Sequence, residues 1–292
     1  MTDTARQEPT FEAERARLTG LAYRMTGSRT VAEDLVQEAW IRWSATDRST
    51  IERPAAWLTT VTSRLALDHL RSAQHRRESY VGPWLPEPTP IAVDPAEHAE
   101  LAESLSMGFL AVLERLGPTE RVVFLLGEVF ALPYAEIATV VDRSPEACRQ
   151  IASRARTRVR EGRPRFEATD DEAWQVAAAF LGAAQAGDLA SLIALLDPEA
   201  VLVSDGGAEH RAARRPVTAT RIPRLVANLA RRMPTDAQLA FQLLNGQPWV
   251  VLRQQEGPTQ AMGFSVVEGR IVRIWIVRNP DKLDALEAIP IR

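Results

Sequence analysis

Residues 78–95 read ESYVGPWLPEPTPIAVDP, with prolines at 83, 86, 88, 90 and 95. Proline locks φ and carries no backbone N–H, so a stretch this rich in it cannot be helical. It must run extended or as polyproline II, and it divides the chain into parts that fold on either side of it. Tyr80 and Trp84 stand among the prolines, which predicts a linker that docks on a folded surface rather than floating free.

On the N-terminal side, apolar residues recur at helical spacing. Phe11, Leu18, Leu21, Ala22 and Met25 mark a first helix that Gly27 ends. A second begins near Thr30 and runs through Leu35, Ala39 and Trp43. Pro54, suited to a helix start, opens a third through Trp57, Leu58, Val61 and Leu65. Beyond the linker, helices are expected at 96–116, 119–130, 133–141 and 145–160.

From Glu172 the pattern changes. A long helix through Trp174 and Phe180 and a short one at 189–196 precede a strand at 200–204; a helix follows near 221–232. Runs at 238–244, 248–254, 260–267 and 270–277 alternate or are apolar, and Gly246, Gly257 and Gly269 punctuate them as hairpin turns. Helices followed by an antiparallel meander predict an α+β domain. The expected division is 8–77, a linker at 78–95, 96–163 and 170–292. At 292 residues the chain has length for two or three modest domains.

The 132–159 stretch, LPYAEIATVVDRSPEACRQIASRARTRV, reads as a helix-turn-helix. Ile137, Ala138 and Val141 give the first helix an apolar side, and Asp142-Arg143 make the turn. Ser144 is a good N-cap, followed by Pro145 at the first helical position and Glu146 near the positive end of the dipole. Cys148, Ile151, Ala155 and Val159 form the inward stripe of the second helix, so Cys148 reads as a small buried apolar residue. Its other faces carry Arg149, Gln150, Ser153, Arg154, Arg156, Arg158 and Arg160. Such a helix can set Arg and Gln against base edges in a major groove and further arginines against phosphates. The bland alternative is a solvated arginine face on a helical hairpin. A net charge of −3 and a pI near 5.9 argue against a protein that coats nucleic acid but permit such a local basic face.

In the second helix Asp34, Gln37 and Glu38 share a face, being three and four residues apart. The third carries Arg64, Arg71, His75, Arg76 and Arg77, with Trp57 near its start. Basic residues mixed with aromatics suit melted DNA, where bases stack on rings and arginines track the backbone. Trp57 taken alone reads as core.

Together these parts resemble the extracytoplasmic-function RNA polymerase sigma factors. AEDLVQEAW (32–40) looks like the region 2 motif of that family, whose DxxQE face binds the clamp helices of the polymerase β′ subunit. The resemblance therefore implies core RNA polymerase as partner through Asp34, Gln37 and Glu38. Residues 44–77 are similar to the part that melts the −10 element, implying promoter contacts by Trp57, Arg64, Arg71, Arg76 and Arg77. Residues 134–159 are similar to region 4.2, implying −35 contacts by Ser144, Arg149, Gln150, Ser153, Arg154 and Arg156. YVGPWLPEP (80–88), DGGA (205–208) and NPDKL (279–283) resemble signatures of the SigJ-type subgroup, which has a fused SnoaL-like domain; Ala208 stands where that subgroup has a third glycine. The implied fold is two all-α sigma domains plus an α+β cone domain of the kind shared with nuclear transport factor 2.

Enzymes occur among SnoaL-like relatives, and Asp205 with His210 would be the acid/base candidates here. The reading preferred for them is a turn carboxylate and a surface histidine, so no enzyme, catalytic residue or cofactor is expected. The four histidines are dispersed, and no metal is expected. The C-terminal domain is instead expected to regulate in cis. It would pack on region 2 and the linker through Tyr80, Trp84, Asp205, Gly206, Gly207, Asn279, Pro280, Asp281, Lys282 and Leu283. A helix-turn-helix regulator that does not engage polymerase, or an enzyme tethered to DNA, are the alternatives. One cysteine excludes an intramolecular disulfide and fits a reducing compartment. The polar N-terminus and the lack of a long apolar run lead us to expect a soluble cytoplasmic protein with no membrane contact.

Overall fold

The computed structural model describes residues 8–47, 49, 51–77, 80, 82–90, 104–162, 170–253 and 259–287. The chain divides into two compact units, Met1–Glu78 with Phe109–Arg163, and Ser79–Gly108 with Pro164–Arg292.

In the first unit the three expected N-terminal helices are α1 (Glu8–Thr26), α2 (Arg29–Ala45) and α3 (Pro54–Arg77). Ser28 caps α2 by accepting from the Val31 N–H at 3.3 Å. Phe11, Leu18, Val36, Trp43 and Leu58 meet in one core. The later helices are α4 (Met107–Leu113), inside which the division falls, then α5 (Pro118–Phe124), α6 (Tyr134–Val141) and α7 (Pro145–Gly162). The helix expected at 119–130 changes to a π-turn at Leu125–Val129. Asp142 adopts φ +55° and ends α6 in the left-handed conformation. The Arg143 N–H then reaches back to the Ala138 carbonyl, and the Ser144 Oγ caps α7 by accepting from Ala147 N–H. Cys148, Ala152, Ala155 and Val159 are buried along α7, and burial pushes the Cys148 thiol pKa up. That is the inert, structural environment expected for it.

The second unit holds α8 (Asp170–Ala186), α9 (Leu189–Ala194), β1 (Leu196–Asp205), β2 (Val217–Thr218), α10 (Ile222–Arg231), β3 (Gln238–Leu244), β4 (Gln247–Arg253), β5 (Gln260–Val267) and β6 (Arg270–Val277). A 3₁₀ turn at Pro280–Lys282 and α11 (Asp284–Glu287) follow. The sheet order is β2-β1-β6-β5-β4-β3. Strands β3 to β6 form the expected antiparallel meander. Strand β1 instead lies parallel to β6, closing a mixed sheet, and the two-residue β2 was not anticipated. Asn245-Gly246 and Glu268-Gly269 are both left-handed pairs, which matches the twist of two-residue hairpins. Gly257 lies outside the described residues.

The sheet has two buried faces. On one, Leu202, Val250, Phe264, Ile274 and Ile276 pack with Ala177, Phe180 and Val226 of α8 and α10. On the other, Trp249, Val251, Ala261, Trp275 and Val277 are almost wholly buried. The prolyl segment belongs to this unit, and it is held by hydrogen bonds at two places. Thr89 N–H donates to Asn245 Oδ1 and its carbonyl accepts from Asn245 N–H, while Leu85 is bound at the end of β1. Expected to group with the helix-turn-helix, Ser104–Gly108 instead belong here. The Leu105 carbonyl accepts from Asn245 Nδ2, and Met107 N–H donates to Gln247 Oε1. Helical periodicity cannot show that such a segment is claimed by side chains 140 residues away.

Candidate functional site

The exposed face of α2 carries Asp34 and Gln37, with Glu38 pairing with Arg42 on the same helix at 3.0 Å. Ala32, Val36, Ala39 and Trp43 occupy the opposite, buried face. One turn beyond Gln37 lies Ile41, 53% exposed. Sequence reasoning passed over Ile41 because an isolated apolar residue on a polar face looks unremarkable. Its place one turn along the helix sets it beside Gln37 and Glu38 on that exposed face.

The basic residues of α3 separate. Trp57 packs its ring on Trp43, 5.5 Å between centroids, and so serves the core. Arg71 is half-exposed beside Asp68. Arg64 donates to the Thr139 carbonyl at 2.5 Å, and Arg53, just before the helix, pairs with Glu136 at 2.7 Å. Both contacts tie the −10-like helix to the first helix of the helix-turn-helix. A separate, buried tie joins α5 to α1: Arg121 bonds the Met25 carbonyl and also Glu114. The side chains of Arg76 and Arg77 lie outside the described residues.

On α7, Gln150, Ser153 and Arg154 are exposed, and Arg154 makes no ion pair among the described residues. Arg149 leans on Glu146 and lies 6.0 Å from the Tyr134 ring centroid. Arg156 is held by both oxygens of Glu128, at 2.6 and 2.9 Å. These bonds hold Glu128 below the usual carboxylate range. Arg158 similarly grips Glu120. Thus Arg156, expected on DNA, already has a carboxylate partner, whereas Gln150, Ser153 and Arg154 form a free surface.

In the second unit the three short motifs meet. Asp205, fully buried at the end of β1, points to the sheet face opposite the helices. Its Oδ2 accepts from Lys282 Nζ at 2.6 Å and from Leu85 N–H at 2.9 Å. Its Oδ1 accepts from the Tyr80 hydroxyl at 2.5 Å and from Gly207 N–H at 3.0 Å. Lys282, 8% exposed, also donates to the Leu85 carbonyl and sits 3.8 Å from the Trp84 ring centroid. Burial, and then donation to Asp205, raise the Tyr80 pKa, so the phenol stays a donor. Asn279 caps the turn by accepting from Asp281 N–H, and its Nδ2 donates to the Tyr80 oxygen. Leu283 is buried beneath, whereas Pro280 is half-buried and Asp281 exposed.

The glycines of this cluster have separate reasons. A Cβ on Gly206 would lie 2.1 Å from the His210 carbonyl, and Gly207 adopts φ +64° against Asn279. Ala208 is exposed with ordinary φ, so a third glycine has no role there. Asp205 and His210 do not form an acid/base pair in a cavity. Neither lines the cavity between sheet and helices, and Asp205 is committed to the lysine lock.

The geometry agrees with comparisons to known proteins. Residues 10–76 match the family model for sigma-70 region 2, and residues 106–159 the model for sigma-70 region 4. The chain is 40% identical over 287 residues to the ECF RNA polymerase sigma factor SigJ of Mycobacterium tuberculosis, covering 93% of this chain and 91% of that one. It is 37% identical over 282 residues to a probable ECF RNA polymerase sigma factor, SigI, of the same species, covering 95% of each. The crystal structure of M. tuberculosis SigJ superposes with a TM-score of 0.76 at 36% identity, over 97% of this chain and 99% of that chain. The chain therefore belongs to the extracytoplasmic-function family of RNA polymerase sigma factors, in the branch that carries a SnoaL-like C-terminal domain.

Proposed function

We propose that the α2 face of Asp34, Gln37, Glu38 and Ile41 docks on the β′ clamp helices of core polymerase, with Ile41 supplying the apolar contact. Ser144, Arg149, Gln150, Ser153 and Arg154 of α7 would read the −35 element. Arg156 would act mainly through Glu128, holding the helix-turn-helix together. Arg64, Arg71, Arg76 and Arg77 would follow the melted −10 strand, with Trp57 supporting them from the core. The observation that carries this reading is the pairing, in one compact unit, of an exposed DxxQE face with a recognition helix whose outer side is free. Arg64 is engaged by α6, so promoter opening requires that contact to part. The setting is the cytoplasm, where polymerase and chromosome are; no helix among the described residues is long and apolar enough to cross a membrane.

In vitro transcription with core polymerase and a promoter library tests this directly. Asp34→Ala with Gln37→Ala should lower co-purification with core polymerase and transcript yield about tenfold or more. Arg154→Ala should keep polymerase binding but weaken the −35 contact by about 1–3 kcal/mol. A double variant that binds polymerase normally would favour a DNA-binding regulator that bypasses polymerase.

The C-terminal domain, in our reading, regulates in cis by holding the prolyl segment in its Asp205–Lys282 lock and so changing how region 2 meets polymerase or promoter. No catalytic residue or cofactor is assigned to it, because its best acid/base candidate is spent on that lock. Tyr80→Phe removes one hydrogen bond to Asp205 while keeping the ring. At matched concentrations it should shift transcript yield at least about twofold from wild type, with folding retained. Identical yields would remove the lock from regulation.

A further inference from the structure

Between the sheet and the helices α8 and α10 lies a cavity of about 630 Å³. Its size is that of a site for a small organic ligand. Strand alternation explains the lining. Ser204, Ile276, Met262 and Val250 stand in register across four strands and all project inward. Leu181 of α8 and Leu225 of α10 supply the opposite wall.

The polar groups are unequal in sign. Arg211, Arg232 and Arg278 line the cavity, and no carboxylate among the described residues does. Arg278 continues the inward row of β6 after Ile274 and Ile276. Its Nη1 donates to the Arg211 carbonyl at 2.6 Å, while its Nε is buried with no acceptor among the described residues. It makes no ion pair among those residues either. Burial alone lowers its pKa, the mark of a cation short of a counter-charge. A guanidinium without a counter-charge is a group that takes a carboxylate.

We propose that this cavity binds a small amphipathic carboxylate, with its apolar tail among Leu202, Leu225, Val250, Met262 and Ile276 and its carboxylate on the Arg278 guanidinium. An uncharged apolar ligand would leave this half-buried cation without a counter-charge, which is costly. A short anion such as acetate would leave the apolar walls wet. The Arg278 backbone N–H donates to the Asp205 carbonyl at 2.7 Å, and Asn279 follows it, so the ligand would sit one residue from the lysine lock.

The test uses the full chain alone, without polymerase, and does not depend on the regulatory reading. Decanoate, decanol and acetate are titrated by calorimetry and by melting-temperature shift. Decanoate should bind saturably, decanol at least about tenfold more weakly, and acetate not at all. Arg278→Gln should weaken decanoate about tenfold and leave decanol unchanged, while Arg278→Lys, which keeps the charge but not the planar fork, should lose less than the glutamine variant. Leu229→Trp, at the half-exposed mouth, should weaken both tailed ligands. Should Arg278→Gln melt early without ligand, the lysine variant still decides, since decanoate binding no tighter than decanol there, despite a retained cation, counts against the assignment. Equal binding of decanol and decanoate, undiminished decanoate binding in Arg278→Gln, or no saturable decanoate binding to wild type would each overturn it.

Discussion

Lys282→Ala should destabilise the C-terminal unit by about 3–5 kcal/mol, because it strips the cation from a carboxylate that water cannot reach. Asp205 would keep the Tyr80 hydroxyl and the Leu85 and Gly207 N–H groups, yet its charge would have no opposite partner among them. The Leu85 carbonyl would lose its donor as well. Urea unfolding of the full chain should show the transition of this unit moved to lower denaturant, and proteolysis should open the segment around Trp84–Thr89 first. Asp205→Leu combined with Lys282→Met should recover much of the loss, since removing both charges leaves neither stranded. A shift below about 1 kcal/mol for Lys282→Ala would mean that the pair behaves like a surface contact and holds nothing.

The second large effect is expected at Gly263. In the sheet it is the partner of both Trp249 and Trp275, so it lies between two buried indoles on one face. A Cβ there would lie 2.4 Å from Cε2 of Trp249. The ring is wholly buried and cannot swing away, so Gly263→Ala should cost about 1–3 kcal/mol or more as overpacking. Melting of the unit should fall by about 2–4 °C per kcal/mol. Gly182 makes the control: it lies mid-helix in α8 with nothing within 4 Å of its would-be Cβ. Gly182→Ala should stabilise by about 0.5–1 kcal/mol. If the two substitutions behaved alike, the close indole contact would not be what excludes a side chain at 263.

Local order was legible wherever a short-range rule governs it. Apolar spacing gave α1 to α3 and the strands of the meander, and Ser144-Pro145 gave the start of α7. The parallel union of β1 with β6 was not legible, because a strand's two-residue period says which face is buried but not which way its neighbour runs. Nor could spacing reveal that Leu85 would be held by residues 120 and 197 positions later in the chain. The motif resemblance named those segments, and folding showed their chemistry to be one buried ion pair with a tyrosine over it. At the recognition helix the composition over-counted, since arginines that look alike in sequence differ once Glu128 and Glu120 claim two of them. Ile41 shows the reverse, a residue whose interest arises only from what the fold leaves uncovered.

The prolyl segment makes the two units interleaved along the polypeptide: each is assembled from two separate stretches, and each interrupts the other. No single cut can therefore release either one free of a piece of the other. A chain ending near Arg165 would keep 79–108 but lose the sheet that buries Leu85, Leu105 and Thr89 and supplies Asn245 and Gln247. Such a fragment is not a sigma core freed of its regulator. It is a sigma core carrying a proline-rich insert stripped of the partners that hold Leu85, Thr89 and Leu105. Genetic dissection of this architecture is cleaner through single side chains of the lock than through deletion.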